Sequence, residues 1–110
     1  MRGIGIDVSK ARLDVAVHGE QKQCGFANTA AGHRKLVAWL KRWPVQAVVL
    51  EASGGYERAI AQTLAQAAFP VCRINPRQGR DFAKATGQLA KTDARDARVL
   101  AHMAQVMSLP

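Results

Sequence analysis

Residues 2–17, RGIGIDVSKARLDVAV, decide the fold. Ile4, Ile6 and Val8 alternate with Gly3, Gly5 and Asp7, the period-two pattern of a strand with two unlike faces. Ser9-Lys10-Ala11 is a short polar break, after which Leu13, Val15 and Val17 resume the alternation. Gly19-Glu20 makes a second turn, and residues 21–27 (QKQCGFA) form a third, less apolar strand. Two short connections in succession predict an antiparallel meander.

Further along, the period changes. Asn28 or Thr29 caps a helix in which Leu36, Trp39, Leu40 and Trp43 recur at three- and four-residue spacing, and Pro44 ends it. VQAVVLEA (45–52) is a continuous apolar run, typical of a strand covered on both faces. Ser53-Gly54-Gly55 leads into a second helix with Ile60, Leu64 and Ala68. VCRIN (71–75) is a further strand. Asn75-Pro76 supplies an N-cap and first helical residue for a third helix, stopped at Gly87, and a last helix starts near Thr92. The order β-β-β-α-β-α-β-α-α predicts an α/β domain. Its mixed five-stranded sheet combines a three-stranded antiparallel meander with parallel strands, under helices on both faces. If strand one sits centrally, strand four can pair beside it in parallel, and a ligand is expected at the carboxyl ends of the parallel strands.

With 110 residues and 48% hydrophobic content, the chain can bury one core and is not of disordered composition. No stretch approaches the ~20 consecutive apolar residues of a membrane span, and the start lacks a signal-peptide run. The cytoplasm is the expected compartment. Sixteen Lys and Arg against eight Asp and Glu give +8, which favours a polyanionic partner such as nucleic acid. Cys24 and Cys72 have no CxxC spacing and read as free thiols. His18, His33 and His102 read as surface or filler positions.

Against this basic background the acids stand out. Asp7 lies near the carboxyl end of the first strand and Glu51 follows the apolar run of the fourth, both where hydrophobic side chains are expected. Asp93 and Asp96 are three apart in a predicted helix, a like-charge spacing that costs roughly 0.2–0.5 kcal/mol. They fall within the stripe of Leu100, Met103, Ala104 and Met107, while Arg95, Arg98, His102 and Gln105 cluster opposite. The helix dipole alone suits acids in a first turn capped by Thr92. Four gathered carboxylates instead suit Mg²⁺, or Mn²⁺ in its place. Two such ions about 3.5–4 Å apart can stabilise the attacking and leaving oxygens of phosphodiester displacement. Asp14 reads as a solvated outward residue and Glu57 as a dipole-compensating one. Arg77, Arg80, Lys84 and Lys91, in a basic stretch from Arg73 to Arg98, and Lys10, in the turn after Asp7, are candidate phosphate contacts. A solvated helix face is the alternative for the third-helix residues. Tyr56 either stacks on a base or serves the structure, and Trp39 and Trp43 read as core.

GIDVSK around Asp7, VVLEASGGYE around Glu51, NPRQGRDFAKATG and KTDARDARVLA resemble the DEDD transposases of bacterial insertion sequences. The related DNA invertases of the Piv type share the pattern. This resemblance spans nearly all 110 residues and implies an RNase H-like, RuvC-like fold. It implies Asp7, Glu51, Asp93 and Asp96 as a Mg²⁺-binding catalytic tetrad acting on DNA, with a guide RNA in at least some members. Homo-oligomers are expected of full-length proteins. Family members continue into a helical segment and a second domain with a nucleophilic serine. Residues 1–110 are therefore expected to be the amino-terminal catalytic domain, inactive alone, and Ser9 and Ser53 do not take the serine's role.

Other functions remain open on sequence. A stand-alone Holliday-junction resolvase would use the same tetrad. A non-catalytic nucleic-acid-binding or self-association module would keep the fold without the activity. IGIDVSK also resembles the phosphate-holding strand-turn of actin-like phosphotransferases, which need a glycine where Ser9 stands and a longer chain.

Overall fold

A computed structural model describes residues 1–87 and 94–107, with the side chains of residues 94–96 left out. The opening alternation folds as two antiparallel strands, β1 (Arg2–Val8) and β2 (Arg12–Val17), followed by β3 (Cys24–Ala27). After α1 (Ala30–Leu40) come β4 (Val45–Glu51), α2 (Arg58–Gln66), β5 (Val71–Ile74), α3 (Pro76–Ala85) and α4 (Ala94–Val106). The strand order is β3-β2-β1-β4-β5, with β1 central. Meander pairs are antiparallel, while β1–β4 and β4–β5 are parallel, as the two crossover helices require.

Local chemistry accounts for the helix starts. Thr29 caps α1, its side chain accepting from the Gly32 N–H at 3.1 Å. Asn75 and Gln78 form a reciprocal capping box at α3, with Pro76 in the first turn where its missing N–H costs nothing. Gly87, at φ +73°, follows the end of α3 in the left-handed region that glycine tolerates best. Trp43 lies beyond α1 rather than in it. Both tryptophans are half-buried against the core that Leu36 and Leu40 complete.

Each face of the sheet is covered by a different helix pair. Ile4, Ile6, Val8, Leu13, Val15, Val17, Val48 and Leu50 point toward α1 and α2, where they meet Leu36, Leu40, Ile60 and Leu64. Full burial of such side chains contributes about 1.5–3 kcal/mol apiece. On the opposite face, Ala47, Val49 and Ile74 pack on Leu100 and Ala104 of α4, and Ala16 on Ala97 and Ala101. Gly3 and Gly5 let α4 press its backbone onto β1. A Cβ at either position would lie under 3.0 Å from backbone atoms of Ala101 and Gln105, or of Ala97 and Ala101.

This contact corrects the helical-wheel expectation. Leu100 and Ala104 are buried as predicted, but the covered face extends round to Ala97, Ala101 and Gln105. Gln105, expected opposite the core, accepts from the Gly3 N–H at 2.7 Å through its Oε1. His102 is also brought inward, its ring stacked on His18 at 5.1 Å and meeting Phe82 edge-on. Arg98 stays exposed and donates to the Gln21 carbonyl at 2.6 Å. Cys24 and Cys72 are free thiols, as expected.

Candidate active site

Asp7 and Glu51 are set by sheet register. The parallel β1–β4 ladder runs to Ile6 beside Leu50, so the next residue on each strand is a carboxylate. Strand alternation puts Asp7 on the face of Gly3 and Gly5, and Glu51 on the face of Ala47 and Val49. That is the face covered by α3 and α4, so both acids stand on one side of the sheet at the carboxyl ends of adjacent parallel strands. Each is half-buried.

The neighbouring helices leave room for them. Gly79 faces the sheet from α3, and a Cβ there would stand 2.5 Å from Glu51 Oε1. A glycine thus makes the cradle in which the Glu51 carboxylate sits. Gly3 meets α4 at Ala101 and Gln105, and Gly5 meets it one turn earlier, at Ala97 and Ala101. α4 therefore runs against β1, with its amino-terminal end toward the carboxyl end of β1. Asp96 belongs to the first turn of α4, while its side chain, like all of Asp93, lies outside the described residues. Among the described residues, no group of three or more His, Cys, Asp and Glu side chains is gathered at metal-holding spacing.

Two acids take positions that sequence reasoning missed. Asp14 pairs with Asp7 across the β1–β2 ladder and so shares its face; it is not simply solvated. Its Oδ1 accepts from Arg12 Nε at 2.8 Å, an ion pair open enough to contribute little stability. Glu57, expected to compensate a helix dipole, is instead buried at 3% exposure and engaged with the loop before the helix. Its Oε1 accepts from the N–H groups of Ser53 at 2.9 Å and Gly55 at 3.0 Å, and its Oε2 accepts from Arg73 Nη1 at 3.1 Å. Backbone donation from Ser53, then from its own N–H and that of Gly55, with the Arg73 charge, holds the Glu57 carboxyl below its usual range despite burial. The carboxylate thereby ties down the glycine-rich loop after Glu51. The spacing of Glu57 from Gly54 and Gly55, which take φ of +65° and +99°, was the available signal.

Basic residues surround this end unevenly. Lys10 is exposed in the turn after β1, and Arg77, Arg80 and Lys84 are exposed on α3, whose inner side carries Gly79 against Glu51. Arg73 is engaged with Glu57. Lys91 lies outside the described residues. Tyr56 is 48% exposed in the loop after β4.

The donor chemistry fits a hard divalent cation. Two half-buried carboxylates on one face offer oxygen ligands, and the glycine cradle leaves the Glu51 side chain space. No helix among the described residues is long and apolar enough to cross a membrane.

Comparison with known proteins agrees with this architecture. The solved RuvC structure from Thermus thermophilus superposes with a TM-score of 0.62 at 17% identity, covering 92% of this chain and 91% of that one. The mixed sheet is therefore the RuvC-like, RNase H-like fold. The pilin gene-inverting proteins of Moraxella lacunata and Moraxella bovis are each 30% identical over 104 residues. Those matches cover 89% of this chain but 32% of each relative, so the chain spans about a third of their length. A family model for DEDD transposases, described as Transposase, matches residues 4–109. With the fold, the motifs and the family model in agreement along nearly its whole length, the chain belongs to the DEDD transposase family.

Proposed function

We propose that this chain is the Mg²⁺-dependent catalytic domain of a DNA transposase or site-specific recombinase, acting on DNA phosphodiester bonds. The observation that carries the proposal is the register of Asp7 and Glu51. They are the residues next after the Ile6–Leu50 pair, on the face and at the end toward which α4 begins. Asp96 belongs to the first turn of that helix.

In this proposal Asp7, Glu51, Asp93 and Asp96 hold the ion. Bound there, Mg²⁺ would supply Lewis-acid stabilisation of charge on phosphodiester oxygens. The protein's own part is to present hard oxygen ligands from a rigid sheet, to keep Glu51 in its glycine cradle, and to hold the substrate. Lys10, Arg77, Arg80, Lys84 and Lys91 contact backbone phosphates, giving salt-sensitive binding with little sequence preference. The +8 net charge supports a DNA substrate, and a DNA substrate supports a cytoplasmic location. RNA guidance, oligomerisation and a serine-bearing second domain are properties proposed for the full-length protein, consistent with relatives about three times as long.

A junction resolvase is the alternative that the RuvC-like fold favours. Titration of Mn²⁺ into the wild type, Asp7→Asn, Glu51→Gln, Asp93→Asn and Asp96→Asn tests the tetrad. Uptake by the wild type that each variant loses supports it, and uptake unchanged by the substitutions overturns it. Cutting of four-way junctions by the 110-residue chain alone would favour the resolvase.

A further inference from the structure

Asn28 lies just past β3, away from the proposed ligands, yet its side chain joins the two loops that follow them. Its Nδ2 donates to the Ser9 carbonyl at 2.9 Å and to the Tyr56 carbonyl at 3.1 Å. Ser9 is two residues beyond Asp7, and Tyr56 is five beyond Glu51. The Asn28 backbone N–H adds a bond to the Ala11 carbonyl at 3.0 Å, anchoring the residue to the first loop.

Chemistry decides the amide orientation. Both loop partners are carbonyl oxygens, so the NH₂ group must face them, and Oδ1 must face His33 Nε2 at 2.7 Å. His33 is 5% exposed, and burial lowers its pKa, so it is neutral near pH 7 with its proton on Nε2. Its backbone N–H is bonded to the Thr29 carbonyl at 2.8 Å within α1. The amide therefore has both donors spent on the loops and its acceptor paired with a buried ring.

We infer that Asn28, held by His33, is a positioning residue that fixes the spacing of the Asp7 and Glu51 strand ends by bridging the loops that follow them. This inference rests on reading Asp7 and Glu51 as metal ligands. The β1–β4 ladder keeps the two strands together only up to Ile6 and Leu50, and beyond that point Asn28 is a direct bridge between their continuations. Glu57 orders the second loop internally, whereas Asn28 ties one loop to the other.

Mn²⁺ affinity of the 110-residue chain tests it, using Asn28→Ala and Asn28→Asp beside wild type. Asn28→Asp keeps the size of the side chain and loses both donors. Thr29→Ala is the stability control, since it removes the N-cap of the same helix without touching either loop. The expected result is a loss of affinity of about 10-fold or more in both Asn28 variants, as for other groups that orient ligands. Thr29→Ala, compared at a temperature where all are folded, keeps wild-type affinity. His33→Gln, which retains an N–H donor, is expected to fall between wild type and His33→Ala. Wild-type affinity in Asn28→Asp, or an equal loss in Thr29→Ala, would overturn the inference. If the wild type takes up no Mn²⁺, the ligand assignment fails, and amide spectra of the metal-free chain still decide the bridge. Shifts in Asn28→Ala at both residues 9–12 and 53–58 support it, and shifts confined to residues 28–33 overturn it.

Discussion

Gly5 of β1 lies against Ala97 of α4 so closely that a Cβ on Gly5 would collide with the Ala97 carbonyl. The obstacle is backbone, which cannot swing aside as a flexible side chain can. Gly5→Ala is accordingly expected to destabilise the domain by about 1–3 kcal/mol, the usual range for overpacking. Gly54→Ala meets nothing within 4 Å and carries only the strain of φ +65°, about 1–2 kcal/mol for a non-glycine residue. Urea denaturation of both variants measures the difference, and Gly5→Ala also loosens α4.

Much of the fold was legible because side-chain period and caps speak locally. Ile4, Ile6, Val8, Leu13, Val15 and Val17 announced their shared face, and Asn75-Pro76 announced α3. The breadth of the α4 contact was not legible. A wheel weights large apolar residues, yet α4 approaches β1 most closely through Ala97 and Ala101, where small size matters more than hydrophobicity. The clue was Gly3 and Gly5 in a different element. At the site, Asp7 and Glu51 were readable as acids at strand ends. Asp14 was not, because alternation gives a residue's face but not what covers that face. Glu57 and Asn28 were hidden because their partners are backbone groups of loops.

Added Mn²⁺ is expected to raise the melting temperature of the wild type and not that of Asp7→Asn or Glu51→Gln. At an ion concentration about 100 times Kd the linkage is worth about 2.7 kcal/mol. Thermal melts with Mn²⁺, and again after chelation with EDTA, measure it.

Glu57 gives the domain a pH dependence of definite sign. Its folded pKa lies below the unfolded value of 4.5, so its stabilisation is present above that pH and is lost as pH falls through the folded value. Glu57→Gln is expected to cost about 1.5–3 kcal/mol at pH 7, as for hydrogen bonds to a charged group. Its melting temperature should fall less steeply than wild type below pH 4.5. Melts between pH 3 and pH 7 give both slopes.

The His18 ring adds a second transition nearer neutrality. Desolvation lowers its pKa first, and the His102 ring and Arg2 charge lower it further. Its contribution is present above the unfolded value of 6.5 and is lost as pH falls through the folded one. His18→Gln is expected to flatten the stability profile just below pH 6.5, read by chemical denaturation at closely spaced pH values.

Arg77→Ala, Arg80→Ala and Lys84→Ala together are expected to weaken DNA binding to any sequence alike. If each meets one phosphate, the slope of log affinity against log salt falls by about 0.9 per charge removed. Fluorescence anisotropy with labelled duplexes at several salt concentrations measures it.

Gln105 joins the two ends of the described chain, its Oε1 accepting from the Gly3 N–H and its Nε2 donating to the Met1 carbonyl at 2.9 Å. During synthesis, the meander can form early from neighbouring residues, but β1 stays bare on one side until residues about a hundred positions later leave the ribosome. The strand and the helix that cover each other are thus joined by a contact about a hundred residues long in sequence, which forms only after everything between them has been made.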